Sequence, residues 1–260
     1  MDASVRLDAS DGSASDAGVG ADAGPSTENS CRGRSGSDAV VAERFFDPQS
    51  PVSVAVHARG ALLSWTQFRA GKSRVFSRWF GVEADAVDAP VAEDESNQLG
   101  VHSAATATGF LTTWSDEAGA RVELRARRSD GDGVPLDSTP VAGAGANPSA
   151  AVSAQGADGK LLLAFRDGSQ GRTLLLGADA KPVAAAHDVP GFGASLGRPT
   201  LAAFGAGYLL AWVDAATRRV HLQSLDATGV AATASLPIDS DGDAQGNLDL
   251  ATTAAGGALA

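Results

Sequence analysis

Asp239, Asp241, Asp243 and Asn247 place oxygen-bearing side chains along one short run, Asp239-Ser240-Asp241-Gly242-Asp243-Ala244-Gln245-Gly246-Asn247. Oxygen ligands at alternate positions, with a glycine permitting the turn between them, are what a hard cation such as Ca²⁺ takes. These four residues are the candidate metal ligands, and calcium is the one candidate cofactor. A plainer reading competes: an acidic connecting segment in a chain that is acidic throughout. A second set recurs, with Asp116, Asp167 and Asp214 each followed five residues later by Arg121, Arg172 and Arg219. A glycosidase needs two carboxylates at a defined separation, but a catalytic acid is needed once, not in every repeat. Four residues separate each Asp from its Arg, so each pair is expected to face across a four-residue hairpin loop as a cross-strand ion pair. His57, His102, His187 and His221 share no repeat position and no ligand spacing, so neither zinc nor a nucleophilic triad is read from them. Each is expected to be an ordinary strand or loop residue. Cys31 is the single cysteine, which excludes an intrachain disulfide and a thiolate metal cluster. No catalytic residue is assigned, and the chain is expected not to be an enzyme.

The elements that would carry these residues are repeats. Four segments share one core: Ala61-Leu62-Leu63-Ser64-Trp65, Phe110-Leu111-Thr112-Thr113-Trp114, Lys160-Leu161-Leu162-Leu163-Ala164-Phe165 and Tyr208-Leu209-Leu210-Ala211-Trp212. Three of the four tryptophans occupy this one repeated position. A run of small residues precedes each anchor, as in Ser103-Ala104-Ala105-Thr106, and a period-2 segment follows, best seen in Arg121-Val122-Glu123-Leu124-Arg125-Ala126-Arg127. A turn and a short Val-rich stretch close the unit. That makes four strands per repeat of about 40–50 residues, which is the signature of a β-propeller blade. The fold class predicted is all-β, four blades and the start of a fifth. Small residues suit inner strands crowded around an axis, and an aromatic on the second strand fills the wedge between blades. Trp79 lies off the anchor position, and beside Ser77 it is expected to fill space left by a missing leucine rather than to bind. Asp130-Gly131-Asp132-Gly133 coincides with the turn of every repeat and is expected to be a turn.

Two compositional zones divide the chain. Residues 1–46 are rich in Asp, Ala, Gly and Ser and cannot bury enough apolar surface to order themselves, so a disordered acidic tether is predicted there. Residues 47–260 carry the repeats, at about 50–98, 99–147, 148–197 and 198–247, with a partial unit at 248–260. That unit stops where the next Trp is expected, which reads as a fragment. With 31 acidic residues against 20 Lys and Arg, the net charge is −11. Such a chain repels phosphate backbones, so nucleic acid is excluded as a partner. No apolar run approaches the roughly 20 residues of a transmembrane helix. Met1-Asp2-Ala3-Ser4 has neither the basic start nor the apolar stretch of a signal peptide.

The repeat core, an apolar stretch ending in Trp-x-Asp and followed by Arg, resembles the β-propeller-like repeats of uncharacterised bacterial secreted proteins and lipoproteins. The run Asp16-Ala17-Gly18-Val19-Gly20-Ala21-Asp22-Ala23-Gly24-Pro25 is similar to the tethers that follow the lipidated cysteine in such proteins. The residues before Cys31, Thr27-Glu28-Asn29-Ser30, are polar, so Cys31 is not itself read as a lipidation site. The resemblance implies an extracellular or cell-envelope location. The run at 239–247 resembles the calcium loops of integrin-type propeller repeats, with Asn247 where those carry a last Asp and Ala244 where they carry a Gly. On these grounds the expected function is a non-enzymatic, extracytoplasmic binding or scaffold protein with an unknown protein or glycan partner. The alternative is a fragment of a carbohydrate-active propeller enzyme whose catalytic residues lie elsewhere.

Overall fold

Each apolar segment ending in an aromatic anchor becomes the second strand of an antiparallel sheet. Apolar residues run through these segments almost without interruption because both of their faces are covered. In Gly109–Ala118 every residue but the last two is buried, the pattern of a strand packed on both sides. The structure is a computed structural model, and it describes residues 52–69, 71–81, 89–91, 96–137, 141–142, 145–238, 248–253 and 256–259. All of them belong to one compact unit. The expectations for residues 1–46 and for the loop at 239–247 lie outside the described residues.

The first blade contains β1 (Ser53–His57), β2 (Gly60–Arg69), β3 (Lys72–Gly81) and β4 (Ala89–Pro90). The second contains β5 (Asn97–Thr106), β6 (Gly109–Ala118), β7 (Arg121–Asp130) and β8 (Val141–Ala142). The third contains β9 (Pro148–Gln155), β10 (Leu161–Asp167), β11 (Gln170–Leu176) and β12 (His187–Asp188). The fourth contains β13 (Ser195–Phe204), β14 (Gly207–Asp214), β15 (Val220–Leu225) and β16 (Leu236–Ile238), and a further pair, β17 (Leu250–Thr253) and β18 (Gly256–Leu259), follows. In each of the four blades the strands pair in sequence order, and every pairing is antiparallel. The first strands neighbour one another in turn, β1 with β5, β5 with β9, β9 with β13 and β13 with β17. The fold is all-β and propeller-type, four blades and the start of a fifth. Among the described residues no helix is long and apolar enough to cross a membrane.

The anchors seal the seams between blades. Trp114 packs with Val75 and Val91 of the first blade and with Val101. Phe165 packs with Leu111, Leu124 and Ala126 of the second blade. Trp212 packs with Val152, Leu162 and Leu175 of the third. All three anchors are fully buried, and Trp65, stacked on Phe76, is nearly so. Nearer the axis small residues let the strands approach. There the first seam carries a chain of hydroxyls in place of apolar groups: Ser64 Oγ lies 2.7 Å from Ser103 Oγ, which lies 2.9 Å from Thr112 Oγ1. Trp79 packs against Ala55, Leu62 and Phe110, and its Nε1 donates to the Gly131 carbonyl at 3.0 Å. It packs, as expected, but its ring lies over Gly81 and Gly60 rather than in a leucine's place beside Ser77. The Asp130–Gly133 run is a turn, with Asp130 Oδ1 accepting from the N–H groups of Asp132 and Val134.

The expected Asp–Arg ion pair forms in one blade of three, and there not across a four-residue loop: the ladder runs on to Asp167 opposite Gln170, so Arg172 lies diagonal to the acid. Asp167 Oδ2 meets Arg172 at 3.2 Å. In the second blade the hairpin extends to Ala118 opposite Arg121, leaving only Gly119 and Ala120 as the loop, so Asp116 stands opposite Glu123. Asp116 is buried and pairs with Arg125 at 3.0 Å, while Arg121 reaches Glu123 at 3.1 Å. In the fourth blade the loop does have four residues, but Asp214 Oδ1 is taken up by the N–H groups of Ala216 and Thr217 and by the Thr217 hydroxyl. A longer ladder or a competing turn replaces the ion pair.

Candidate functional site

The inner strands are irregular at one level. In β5 the register with β6 shifts between Leu99, opposite Ser115, and His102, opposite Thr113. In β9 it shifts between Ser149, opposite Arg166, and Val152, opposite Ala164. In β13 it shifts between Leu196, opposite Val213, and Thr200, opposite Ala211. Each bulge therefore sits beside the aromatic anchor of its own blade. Each contains a residue in the left-handed region: Gly100 at φ 66°, Ala150 at φ 52° and Gly197 at φ 62°. Glycine adopts this conformation without cost, whereas a β-carbon makes it strained, so Ala150 is held there by its surroundings. Bulges concentrate at barrel rims and active sites because they re-aim a side chain.

Two ionisable side chains stand at this level, His102, where the ladder of β5 resumes, and Arg198, inside the β13 bulge. The backbone N–H of Ser153 donates to His102 Nδ1 at 3.2 Å, and Ser153 Oγ lies 3.3 Å from the same nitrogen. Nδ1 must then carry the lone pair, which makes the neutral ring the Nε2–H tautomer. Burial, seconded by the Arg198 guanidinium, lowers His102 to about 3. Burial alone draws Arg198 down to about 10. Arg198 stands between Gly197, in the left-handed region, and the buried Pro199, which restricts it to extended backbone. The start of its strand is tied down by Arg166 Nη1, which donates to the Ser195 carbonyl at 3.0 Å.

Carboxylates at this end of the inner strands have structural work. Burial pushes the Asp167 carboxyl up. The N–H groups of Asn147 and Ala146, together with Arg172, outweigh that and hold it below its ordinary range. The N–H of Thr217 leads the donors that lower Asp214. Among the described residues no group of three or more His, Cys, Asp and Glu side chains forms a metal-holding cluster. The sequence-derived ligands Asp239, Asp241, Asp243 and Asn247 lie outside the described residues. His102 was read as an ordinary strand residue and Arg198 was passed over. The only signal in the sequence was a glycine shortly before each, and Gly is too common here to mark a bulge.

No family model and no curated protein sequence matches the chain. Solved structures do. A family 43 β-1,3-galactosidase in complex with galactodeoxynojirimycin superposes with a TM-score of 0.54 at 11% identity, over 78% of this chain and 82% of that one. An exo-β-1,3-galactanase of the same family from Clostridium thermocellum gives 0.53 at 11% identity, over 80% of this chain and 53% of that one. The fold is shared with family 43 glycoside hydrolases. This corrects the expectation of a non-enzymatic protein, because the architecture is one on which hydrolytic enzymes are built. The repeated Asp residues that argued against an enzyme are tied up within their blades, and their structural use says nothing about other carboxylates.

Proposed function

We propose that the chain is a carbohydrate-active propeller, engaging glycans at the end where its inner strands begin, in an extracytoplasmic setting. The observation that carries this reading is the fold shared with a β-1,3-galactosidase and an exo-β-1,3-galactanase. Two features of the chain agree with it. The bulges of β5, β9 and β13 fall at one level of the inner strands, the level at which His102 and Arg198 stand. At the same end a shallow groove lined by Lys72, Ser96, Asn97 and Glu117 separates the β2–β3 and β6–β7 hairpins, offering the donors and acceptors that sugar hydroxyls require. Glycoside hydrolysis uses two carboxyl groups flanking the scissile bond. Asp116, Asp167 and Asp214 are committed to ion pairs and turns, so the acid and base of such a reaction come from other carboxylates.

The test is a panel of β-1,3-galactan, arabinan, xylan and their oligosaccharides, incubated with the full chain and assayed for reducing-sugar release and for binding by calorimetry. Release or saturable binding with one of them is expected. Neither turnover nor saturable binding with any glycan of the panel or with acidic oligosaccharides would overturn the reading.

A further inference from the structure

The outer strand of a blade also covers the anchor of the blade that follows. Val91, directly after β4, donates its N–H to the Val75 carbonyl at 2.9 Å, and its side chain packs with Trp114 of the second blade. Val189, directly after β12, donates to the Gly171 carbonyl at 2.7 Å and joins the cluster around Trp212 of the fourth blade. Each valine stands 23 residues before the anchor it covers, and Val141 of β8 stands 24 before Phe165.

The first blade's own anchor is covered as well. Ser64 bonds to Ser103 of the second blade, so Trp65, its neighbour on the strand, faces the other way. The first blade has no described blade before it, yet Trp65 is only 4% exposed. The cover is confined to the outer part of this face. Val54 and Val56, on the same face of the inner strand, are 59% and 72% exposed. A whole blade or a second copy of the chain laid on the sheet would bury these valines together with the ring. A single outer strand buries the ring and leaves them open.

The sequence carries such a strand at the matching distance. Asp38-Ala39-Val40-Val41-Ala42-Glu43 repeats Asp88-Ala89-Pro90-Val91-Ala92-Glu93 with one change in six, and Val41 stands 24 residues before Trp65. The one change puts Val for Pro, and both suit a strand at the edge of a sheet. Ala and Val are common throughout the chain. Composition alone does not place an acid at each end of the run, in the same order and at the same distance from an anchor.

We propose that residues 38–43 form an outer strand laid on the first blade, with Val41 against Trp65 as Val91 lies against Trp114. The occupant of this face is a segment of the chain itself. The repeats then begin inside the stretch whose composition predicts a tether.

The test is hydrogen–deuterium exchange and thermal melting of the full chain, with Val41→Asp and, as a control for the added charge, Val19→Asp. The amides of residues 39–43 are expected to exchange at least about tenfold more slowly than those of residues 1–37. Val41→Asp should abolish that protection and lower the melting temperature by about 4 °C or more, while Val19→Asp leaves it within about 1 °C. Should Val41→Asp fail to fold, Val41→Ala is the milder change and should still lower the melting temperature by about 2 °C. Exchange at residues 39–43 as fast as at residues 1–37 overturns the proposal without any variant. So does equal melting of the Val41 and Val19 variants. A dimer in sedimentation that Val41→Asp dissociates would place the segment on a second copy, and the assignment to the same chain falls.

Discussion

His102 illustrates how much a single side chain's surroundings decide. Nothing in its sequence context, Gly100-Val101-His102-Ser103, distinguishes it from the other three histidines. In the fold it lies among close-packed atoms beside a cation and accepts a hydrogen bond from Ser153, and all three features favour the neutral ring. The consequence is a dependence of stability on pH with a definite sign. Below pH 6.5 the unfolded chain takes up a proton at His102 that the folded chain refuses until about pH 3. Stability is therefore fully present above 6.5 and is lost as the pH falls between these values, by up to about 1.4 kcal/mol per pH unit. Asp137, Asp167, Asp214 and Asp226, each held below the ordinary 3.8 in the fold, add their own losses only as the pH nears that value. Urea unfolding of wild type and His102→Gln between pH 6.5 and 5 separates the two. The wild type should lose stability faster than the variant over that interval, and parallel curves would place His102 in contact with bulk water.

At the scale of strands, the aromatic anchors were legible because they are chemically rare in this chain and recur at nearly constant spacing. A Trp or Phe that fills the wedge between two sheets has no small substitute, so its signal survives everywhere. Trp114→Ala is expected to cost about 3–5 kcal/mol in denaturant unfolding, with Val75, Val91 and Val101 left around the void. A loss below about 1 kcal/mol, the range of surface changes, would contradict the burial of the ring. The bulges were not legible. An extra residue in one strand is visible only against its partner, and the spacing from small-residue run to anchor absorbs it without trace. The same blindness produced the error over Asp116. Two further ladder pairs, Glu117 with Val122 and Ala118 with Arg121, shorten the loop and carry the acid away from the arginine predicted to meet it. Arg125, diagonal to Asp116 across the ladder, takes its place. What decides register is the length of the ladder, and that is a property of two strands together.

Over the whole molecule the charge is lopsided, 31 acidic residues against 20 Lys and Arg, and the effect of salt on stability is a contest between two terms. Salt weakens ion pairs such as Lys160–Asp158 and Arg59–Asp132, which would lower the melting temperature. Salt also screens the repulsion among the excess carboxylates, which would raise it. The first term is small, because exposed pairs contribute about 0–1 kcal/mol each and Asp116–Arg125, with its buried acid, is screened little. The second acts over the full surface. At about 0.01 M ionic strength the Debye length is roughly 30 Å, long enough for distant carboxylates to repel one another, and at 0.15 M it has shrunk to about 8 Å. Repulsion among like charges should win, with the melting temperature at pH 8 rising by roughly 2–5 °C as NaCl is raised across this range. Calorimetric scans at a series of NaCl concentrations check it. A fall in melting temperature would mean that the ion pairs within the blades, and not the aromatic seams between them, set the stability of the fold.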